Sequence, residues 1–265
     1  MAAAVEQLGD DLMAETGDLV TLVTSISPAE WETPTPAPGW SIRDQVGHLA
    51  YFDEQVTLAA TDPDAFARRR LEALADVDGF VDAAAQAARQ CPVADLVPWL
   101  YQARHAMIEA TGAGDPERRI PWFGPDMSMA SALTARIMET WAHGQDVADA
   151  LGRTRTPTER LRHVCFLGYR ALPNSFRARG LEVPESPVRV VLEGTDGSQW
   201  TFGPPDAANQ VRGSALDFCL VVTQRRHRDD TDLECEGAVS TQWLGIAQAF
   251  AGPPGPGRQP GQFTS

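Results

Sequence analysis

The segment ALTARIMETWAHGQDVADAL, residues 132–151, decides the fold, because it has the pattern of one long helix with Glu139 and His143 four residues apart. At about 100° per residue, those two side chains lie on one face of the helix. Arg136 precedes Glu139 by three positions and Asp146 follows His143 by three. The neighbouring face, which we expect to turn toward the core, carries Leu133, Ile137, Trp141, Ala148 and Leu151. Polar groups beside such a buried face need an ion-pair partner or a metal.

Composition indicates an ordinary globular protein with an acidic surface. The chain has 265 residues, enough for a sizeable core and a second, smaller unit. Its net charge of −14 disfavours nucleic acid and anionic membranes as partners, because both are bound through a surplus of cationic contacts. Neither an apolar run of about 18 residues nor a signal-peptide pattern occurs. We therefore expect a cytoplasmic protein that acts on a small molecule, and the oligomeric state stays open.

Two residue types narrow the chemistry further. All 22 basic residues are arginine, and the absence of lysine excludes Schiff-base, pyridoxal-phosphate and P-loop lysine mechanisms. The four cysteines form no CxxC pair and are interpreted as buried small hydrophobic residues: Cys91, Cys165, Cys219 and Cys235.

Residues 1–152 have the pattern of a helix bundle, with about four or five helices joined by loops. One of these helices, residues 42–60, follows a proline-rich loop and carries His48. Ser41 and Asp44 are spaced as a capping box, which predicts that the helix begins there.

Composition changes after Gly152, and residues 153–251 are predicted to form a small α+β domain. The predicted elements are a β-hairpin of residues 188–193 and 199–202, a strand around 232–236, and helices at 158–178, 214–223 and 241–251. Residues 252–265 are rich in glycine and proline and are expected to be poorly ordered. The predicted fold class is therefore α+β, with a helix bundle before the smaller domain.

Two motifs, GWSIRDQVGHLAYFDE (residues 39–54) and ARIMETWAHGQDVADALG (residues 135–152), carry a family resemblance. The first 152 residues or so resemble the metal-binding N-terminal domain of the mycothiol-dependent maleylpyruvate isomerase family, within the DinB-like four-helix-bundle superfamily. The resemblance implies a bundle in which His48, Glu139 and His143 hold a divalent metal, usually zinc. It also fits an actinobacterial source, since actinobacteria make mycothiol and their GC-rich genomes disfavour lysine codons.

The C-terminal segment CEGAVSTQWLGIAQAFAGPPGPGR, residues 235–258, resembles a different module, one described as wyosine-base-formation-like. This module departs from the usual C-terminal domain of the isomerase family. A family-type arginine nevertheless falls near Arg225, in the basic cluster of residues 224–228. Arg225 is thus a candidate catalytic residue that anchors a carboxylate, because a guanidinium binds carboxylates bidentately. The alternative is a solvated loop balanced by the aspartates that follow it.

The residue types of the three candidate ligands indicate by themselves which metals they could bind. Two imidazoles and one carboxylate suit zinc with an open coordination position. They also suit Fe(II) or Ni(II), since ligand type alone does not fix the metal. As the alternative, Glu139 pairs with Arg136 and the two histidines are structural. Asp146 is a candidate catalytic residue that orients a ligand, or else a solvated helix residue.

Three functions follow from such a site. The first is a thiol-dependent isomerase or S-transferase acting on a small acidic or electrophilic substrate, because an open zinc binds an external thiol such as mycothiol as the thiolate. The second is a thiol-independent hydrolase, lyase or cyclase of a biosynthetic pathway. The third is a non-catalytic protein that binds a small molecule.

Overall fold

The computed structural model describes residues 2–75, 77–112, 115 and 117–263, and the chain divides into two compact units, Met1–Arg155 and Thr156–Ser265. The first unit is helical and the second combines helices with a sheet, so the predicted α+β fold class is confirmed. None of the helices in the described part of the chain is long and apolar enough to cross a membrane.

Among its described residues, the first unit is built on six α-helices: α1 (Ala2–Thr24), α2 (Ile42–Thr61), α3 (Pro63–Ala75), α4 (Val77–Gln90), α5 (Val93–Gly112) and α6 (Met129–Ala150). Four of them, α1, α2, α5 and α6, pack together as the expected bundle, and α3 and α4 pack on α2. The loop before α6 holds a short antiparallel pair, β1 (Arg119–Ile120) and β2 (Met127–Ser128).

Helix α2 begins where the sequence predicts, because the capping box forms. The carboxylate of Asp44 accepts the backbone N–H of Ser41 at 2.9 Å and its hydroxyl at 3.0 Å. Arg89 of α4 donates its Nε to the same carboxylate at 3.0 Å, which ties α4 to the start of α2. Below this cap, fully buried Ile42 and Leu49 belong to one of the apolar clusters that hold the bundle together.

In the part that the structure describes, the second unit contains four α-helices, α7 (Leu161–Arg170), α8 (Leu172–Arg177), α9 (Ala215–Val222) and α10 (Ala238–Ile246). It also contains four strands, β3 (Val188–Glu193), β4 (Gln199–Phe202), β5 (Asn209–Ser214) and β6 (Glu234–Glu236). The sheet order is β4-β3-β5-β6, with β3 and β5 parallel and the other pairs antiparallel. The predicted hairpin of β3 and β4 is confirmed, as are the strand at β6 and the helix at α9.

Two predicted helices of this unit were wrong in their bounds. The helix expected at 158–178 is two helices, α7 and α8, because Pro173 has no backbone N–H and is accepted only in the first turn of a new helix. The helix expected at 241–251 begins at Ala238 and ends at Ile246. The backbone is extended at Ala247, and the next N–H, of Gln248, bonds the Ser175 hydroxyl at 3.0 Å.

The described part of the tail, residues 252–263, has no helix or strand. Its Phe263 ring lies 4.5 Å from the guanidinium carbon of Arg226, and its Gly261 N–H donates to Asp230 at 2.7 Å. The disorder expected for residues 252–265 stays a prediction.

Candidate metal centre

Three candidate ligands meet between two helices of the bundle. His48 lies on α2, and Glu139 and His143 lie one turn apart on α6. Their ligand atoms all lie within 4.8 Å of one another, and the two imidazole centroids are 4.5 Å apart. His143 is buried, and the other two are half-buried. The structure therefore brings together the three residues expected from the sequence, and their role as metal ligands stays a proposal.

A tight loop before α2 delivers an aromatic ring to this cluster. Pro34 and Ser41 pair as an isolated β-bridge, and the Thr35 N–H donates to the Trp40 carbonyl at 2.8 Å. Gly39 has φ of +79°, a conformation that side chains disfavour, and it lets the chain reverse just before Trp40. The proline-rich loop thereby fixes both the Trp40 indole and the Thr35 hydroxyl beside the cluster.

A chain of hydrogen bonds sets the orientation of the His143 ring. The Thr35 hydroxyl donates to the Trp40 carbonyl at 2.9 Å, so it accepts from Gln45 Nε2, which is 2.8 Å away. The Gln45 amide oxygen therefore faces His143 Nδ1 and accepts its proton. Nε2 is left to point at Glu139, which is the orientation that a metal-binding imidazole requires.

His143 Nε2 and Glu139 Oε2 are 3.1 Å apart. A neutral imidazole nitrogen and a carboxylate oxygen are both acceptors, so a cation must lie between them: a proton or a metal. With His48 beside them, the donor set is two nitrogens and one oxygen, which fits a divalent metal with an open position. The residues present thus suit the expected cofactor.

Glu139 is held in its charged form. Burial by itself would raise its pKa, but the hydrogen bond and charge of His143, followed by the charges of Arg136 and His48, lower the pKa to about 2. A metal ligand must be deprotonated, and this carboxylate meets that requirement across the ordinary pH range.

Arg136 does not form the ion pair with Glu139 that the alternative interpretation required. Its Nε donates to Asp53 of α2 at 2.7 Å and its Nη2 donates to the Leu49 carbonyl at 3.1 Å. Asp53 also accepts the Nε of Arg104, from α5, at 2.5 Å. Among the described residues, the acidic partner of Arg136 is therefore Asp53, and the Glu139 carboxylate is left to the histidines.

Aromatic rings surround the cluster. Trp40 stacks on His143, with centroids 5.9 Å apart and an interplanar angle of 13°, and it lies 5.0 Å from His48. Phe52, one turn after His48 on α2, lies 4.5 Å from the His48 ring. Phe52 is in turn in edge contact with the rings of Trp122 and Phe123. Apolar neighbours limit the access of water and lower the local dielectric constant, which strengthens a metal's interaction with an anionic ligand.

The two candidate catalytic residues outside the cluster, Asp146 and Arg225, lie in different units of the chain. Asp146, on α6 one turn after His143, is fully buried, so the alternative of a solvated residue was wrong. Its role in orienting a ligand stays a proposal. Arg225 is half-buried in the second unit, just after α9, and its Nη1 donates to the Thr223 carbonyl at 2.6 Å. Its role as a carboxylate anchor also stays a proposal.

Three residues that contact the cluster or its neighbours were not predicted from the sequence: Gln45 beside the cluster, and Asp53 and Arg104 in the core of the bundle. Gln45 lies three positions before His48 on the same face of α2, and that spacing is the signal that could have suggested a shared site. Asp53 and Arg104 had no such signal, because their contacts join different helices.

The comparisons with known proteins concern the family of the bundle and the fold of the chain. Residues 12–148, just over half of the chain, match the family described as mycothiol maleylpyruvate isomerase N-terminal domain. Uncharacterized proteins of Mycobacterium tuberculosis strains CDC 1551 and H37Rv are each 47% identical over 249 residues, covering 94% of this chain and 96% of theirs.

Solved structures show the same fold. A crystal structure of the mycothiol-dependent maleylpyruvate isomerase aligns with a TM-score of 0.58 at 14% identity, covering 84% of this chain and 90% of that one. A mutant of that enzyme aligns with a TM-score of 0.59 at 13% identity, covering 87% and 92%. At such low sequence identity, these structures show only that the fold is shared. The sequence match over residues 12–148 shows the family: the chain belongs to the mycothiol maleylpyruvate isomerase N-terminal domain family.

Proposed function

We propose that this protein is a metal-dependent enzyme that uses a thiol, mycothiol, to isomerise or transfer a small acidic or electrophilic substrate. The observation that carries the proposal is the convergence of His48, Glu139 and His143 within 4.8 Å beside a wall of aromatic rings. The family match supports it, because the solved relative of this fold is a mycothiol-dependent isomerase. A cytoplasmic location and a small-molecule partner belong to the same proposal.

The three ligands would hold zinc, and the same donor set suits Fe(II) or Ni(II). When bound, the metal supplies Lewis acidity and lowers the pKa of a coordinated thiol. The chain's own contribution is orientation. Gln45 keeps the Nδ1 proton of His143 in place, and Glu139 remains ionised because its pKa is about 2.

The aromatic side chains beside the cluster would shape the substrate site. Trp40 and Phe52 restrict water around the histidines, which favours an electrophile with an apolar body. Buried Asp146 is proposed to hold α6 so that its ligands stay aligned. Arg225, in the second unit, is proposed to bind a carboxylate through its guanidinium. Both assignments extend the proposal beyond the cluster itself.

X-ray absorption on the zinc-loaded protein tests the thiol step. On addition of mycothiol or a close analogue, we expect one sulfur at about 2.3 Å from zinc, with the nitrogen and oxygen ligands of the protein retained. The control is the same titration with the hydroxyl analogue of the thiol, which should leave the shell without sulfur.

A shell that stays all nitrogen and oxygen at saturating thiol, together with turnover that needs no thiol, would refute this proposal. It would favour the thiol-independent hydrolase, lyase or cyclase that the same ligand set suits. Metal and substrate binding with no turnover under any condition would instead indicate a binding protein.

A further inference from the structure

Two cysteines of the second unit, Cys165 on α7 and Cys219 on α9, lie against each other in its interior. Their Sγ atoms are 3.4 Å apart, and both side chains are fully buried. They are 54 residues apart along the chain, so it is the fold that brings them together. Neither takes part in a disulfide in this structure. Two adjacent thiols can be joined covalently, and the metal chemistry proposed above makes no use of them.

Reciprocal contacts turn each thiol toward the opposite helix. Cys165 Sγ lies 3.7 Å from the carbonyl oxygen of Ala215 on α9. Cys219 Sγ lies 3.6 Å from the carbonyl oxygen of Leu161 on α7. A thiol is a weak donor, so these contacts orient the two side chains without holding them firmly. Both sulfurs therefore lie at the contact between the helices, and a short movement brings them to the separation of about 2.05 Å in a disulfide.

Gly168, one turn after Cys165, lets α7 approach α9 closely. A Cβ atom at this position would lie 2.7 Å from Cγ2 of Val222 and 3.2 Å from Cε1 of Phe218. Both neighbours belong to α9, and they lie on either side of Cys219 along it. Close-packed helices have no room for an added side chain, so a larger residue here would push them apart. The missing side chain of Gly168 thus keeps the two sulfurs within reach of each other.

We propose that Cys165 and Cys219 form a reversible disulfide within the folded protein when it is exposed to a peroxide. One thiol loses its proton and attacks a peroxide oxygen, the O–O bond breaks, and a sulfenic acid and one water form. The second thiol attacks the sulfenic sulfur, and the S–S bond closes as a second water leaves. The two sulfurs together lose two electrons, and hydrogen peroxide gains them as it becomes water.

Burial decides which reagents can reach this pair. A bulky alkylating reagent needs the contact between α7 and α9 to open, whereas hydrogen peroxide is small and uncharged. Oxidation should be slower than at an exposed cysteine. Once one sulfur is oxidised, however, the neighbouring thiol is held beside it and reacts before a thiol from solution can. Both cysteines belong to the second unit, so the proposal is independent of the metal centre and of the enzymatic function proposed above.

Mass spectrometry of the full-length protein tests the proposal. The protein is treated with hydrogen peroxide under native conditions, catalase removes the excess, and the remaining thiols are alkylated in denaturant. We expect two of the four thiols to be lost, with a mass lower by two hydrogen atoms and no added oxygen. Dithiothreitol should restore all four thiols.

A tryptic digest locates the bond. Trypsin cuts after arginine, and the arginines of this chain separate the four cysteines into four different peptides. Residues 163–170 should be linked to residues 213–225, because these peptides carry Cys165 and Cys219. Cys91 and Cys235 should appear in alkylated peptides that are not cross-linked.

Four variants make the test specific. Cys165→Ser and Cys219→Ser should each abolish the cross-link, and Cys91→Ser should form it as fully as the wild type. Gly168→Ala keeps both thiols but forces the helices apart, so the yield at a fixed time should fall to less than about half. The oxidised wild type should also unfold at a higher urea concentration than the reduced protein, because the bond restricts the unfolded chain. The same treatment should leave the midpoint of Cys165→Ser unchanged.

Three results would overturn the proposal. The first is that all four thiols of the oxidised wild type can still be alkylated in denaturant. The second is cross-linking to Cys91 or Cys235 as often as between Cys165 and Cys219, which would indicate pairing in unfolded chains. The third is a lower unfolding midpoint for the oxidised protein, which would mean that the native contact does not accommodate the bond.

Discussion

The two units hold their arginines in different surroundings. In the core of the bundle, Arg104 and Arg136 both donate to the Asp53 carboxylate, at 2.5 and 2.7 Å. Arg104 Nη1 also donates to the hydroxyls of Thr16, at 3.0 Å, and Thr140, at 2.8 Å. In the second unit, four arginines line an open cavity whose described lining contains no carboxylate. Carboxylate and hydroxyl acceptors complete the network of the bundle, whereas in the second unit Arg179 and Arg228 donate to the backbone carbonyls of Ile246 and Thr241.

The bundle contains a second polar arrangement near this network. Asp53, Arg104 and Arg136 connect three helices, and Thr16 adds the fourth, so this network joins α1, α2, α5 and α6. A few residues away, His143 and Glu139 aim two acceptors at each other. The first arrangement is complete without any ligand and the second requires a cation. Variants in the two should therefore separate stability from metal binding.

The largest expected effect is on stability, at the centre of the network. Asp53→Ala would leave two buried guanidinium groups without their carboxylate, which costs about 3–5 kcal/mol of unfolding free energy. Burial already lowers the pKa of Arg104, and Asp53 counteracts that effect. Urea unfolding of the metal-free protein measures the change, with Asp10→Ala as the control on an exposed part of α1. Equal midpoints for the two variants would show that the network contributes nothing to folding.

The next effect is on metal content. We expect the wild type to hold about one divalent metal per chain, and His48→Ala, Glu139→Ala and His143→Ala should each lose most of it, because these three residues would be its protein ligands. Elemental analysis after dialysis measures it, and unfolding midpoints should change far less than in Asp53→Ala. His105→Ala, on an exposed part of α5, is the matched control. Full metal content in any two of the three variants would refute the ligand assignment.

The sequence predicts the contacts between residues close together along the chain and misses those between distant ones. Glu139 and His143 are four residues apart, so the helical period alone puts them on one face. The Ser41 and Asp44 cap is equally local. By contrast, Asp53 meets Arg104 across 51 residues and Arg136 across 83, and no local pattern encodes those contacts. The pairing of His48 with the other ligands came from the family resemblance.

The missed strand β5 illustrates a second limit. Its sequence, NQVRGS, has Val211 as its one strongly β-forming residue, so periodicity gives no strand signal. Pairing on both sides makes it a strand, parallel to β3 and antiparallel to β6. The sequence also did not predict the cavity that arginines line in the second unit. Arg179 and Arg258 are far in sequence from the basic cluster of residues 224–228, although they line the same cavity as Arg226 and Arg228.

The smallest expected effect concerns Gln45, which touches the metal centre only through His143. Its amide oxygen accepts the Nδ1 proton, and its nitrogen is held by Thr35. Gln45→Ala should therefore keep all three ligands but free the ring to rotate or change tautomer. Loss of such an orienting partner typically weakens metal affinity by about 10–100-fold, which competition with a chelator of known affinity can measure.

Gln55→Ala removes another buried amide from the same helix and should leave the affinity unchanged, because Gln55 lies outside the ligand cluster. Gln45→Glu sharpens the comparison further: a carboxylate also accepts the Nδ1 proton, so this variant should bind metal better than Gln45→Ala. Equal affinities for the wild type and Gln45→Ala would mean that the aromatic stack on Trp40 alone orients His143.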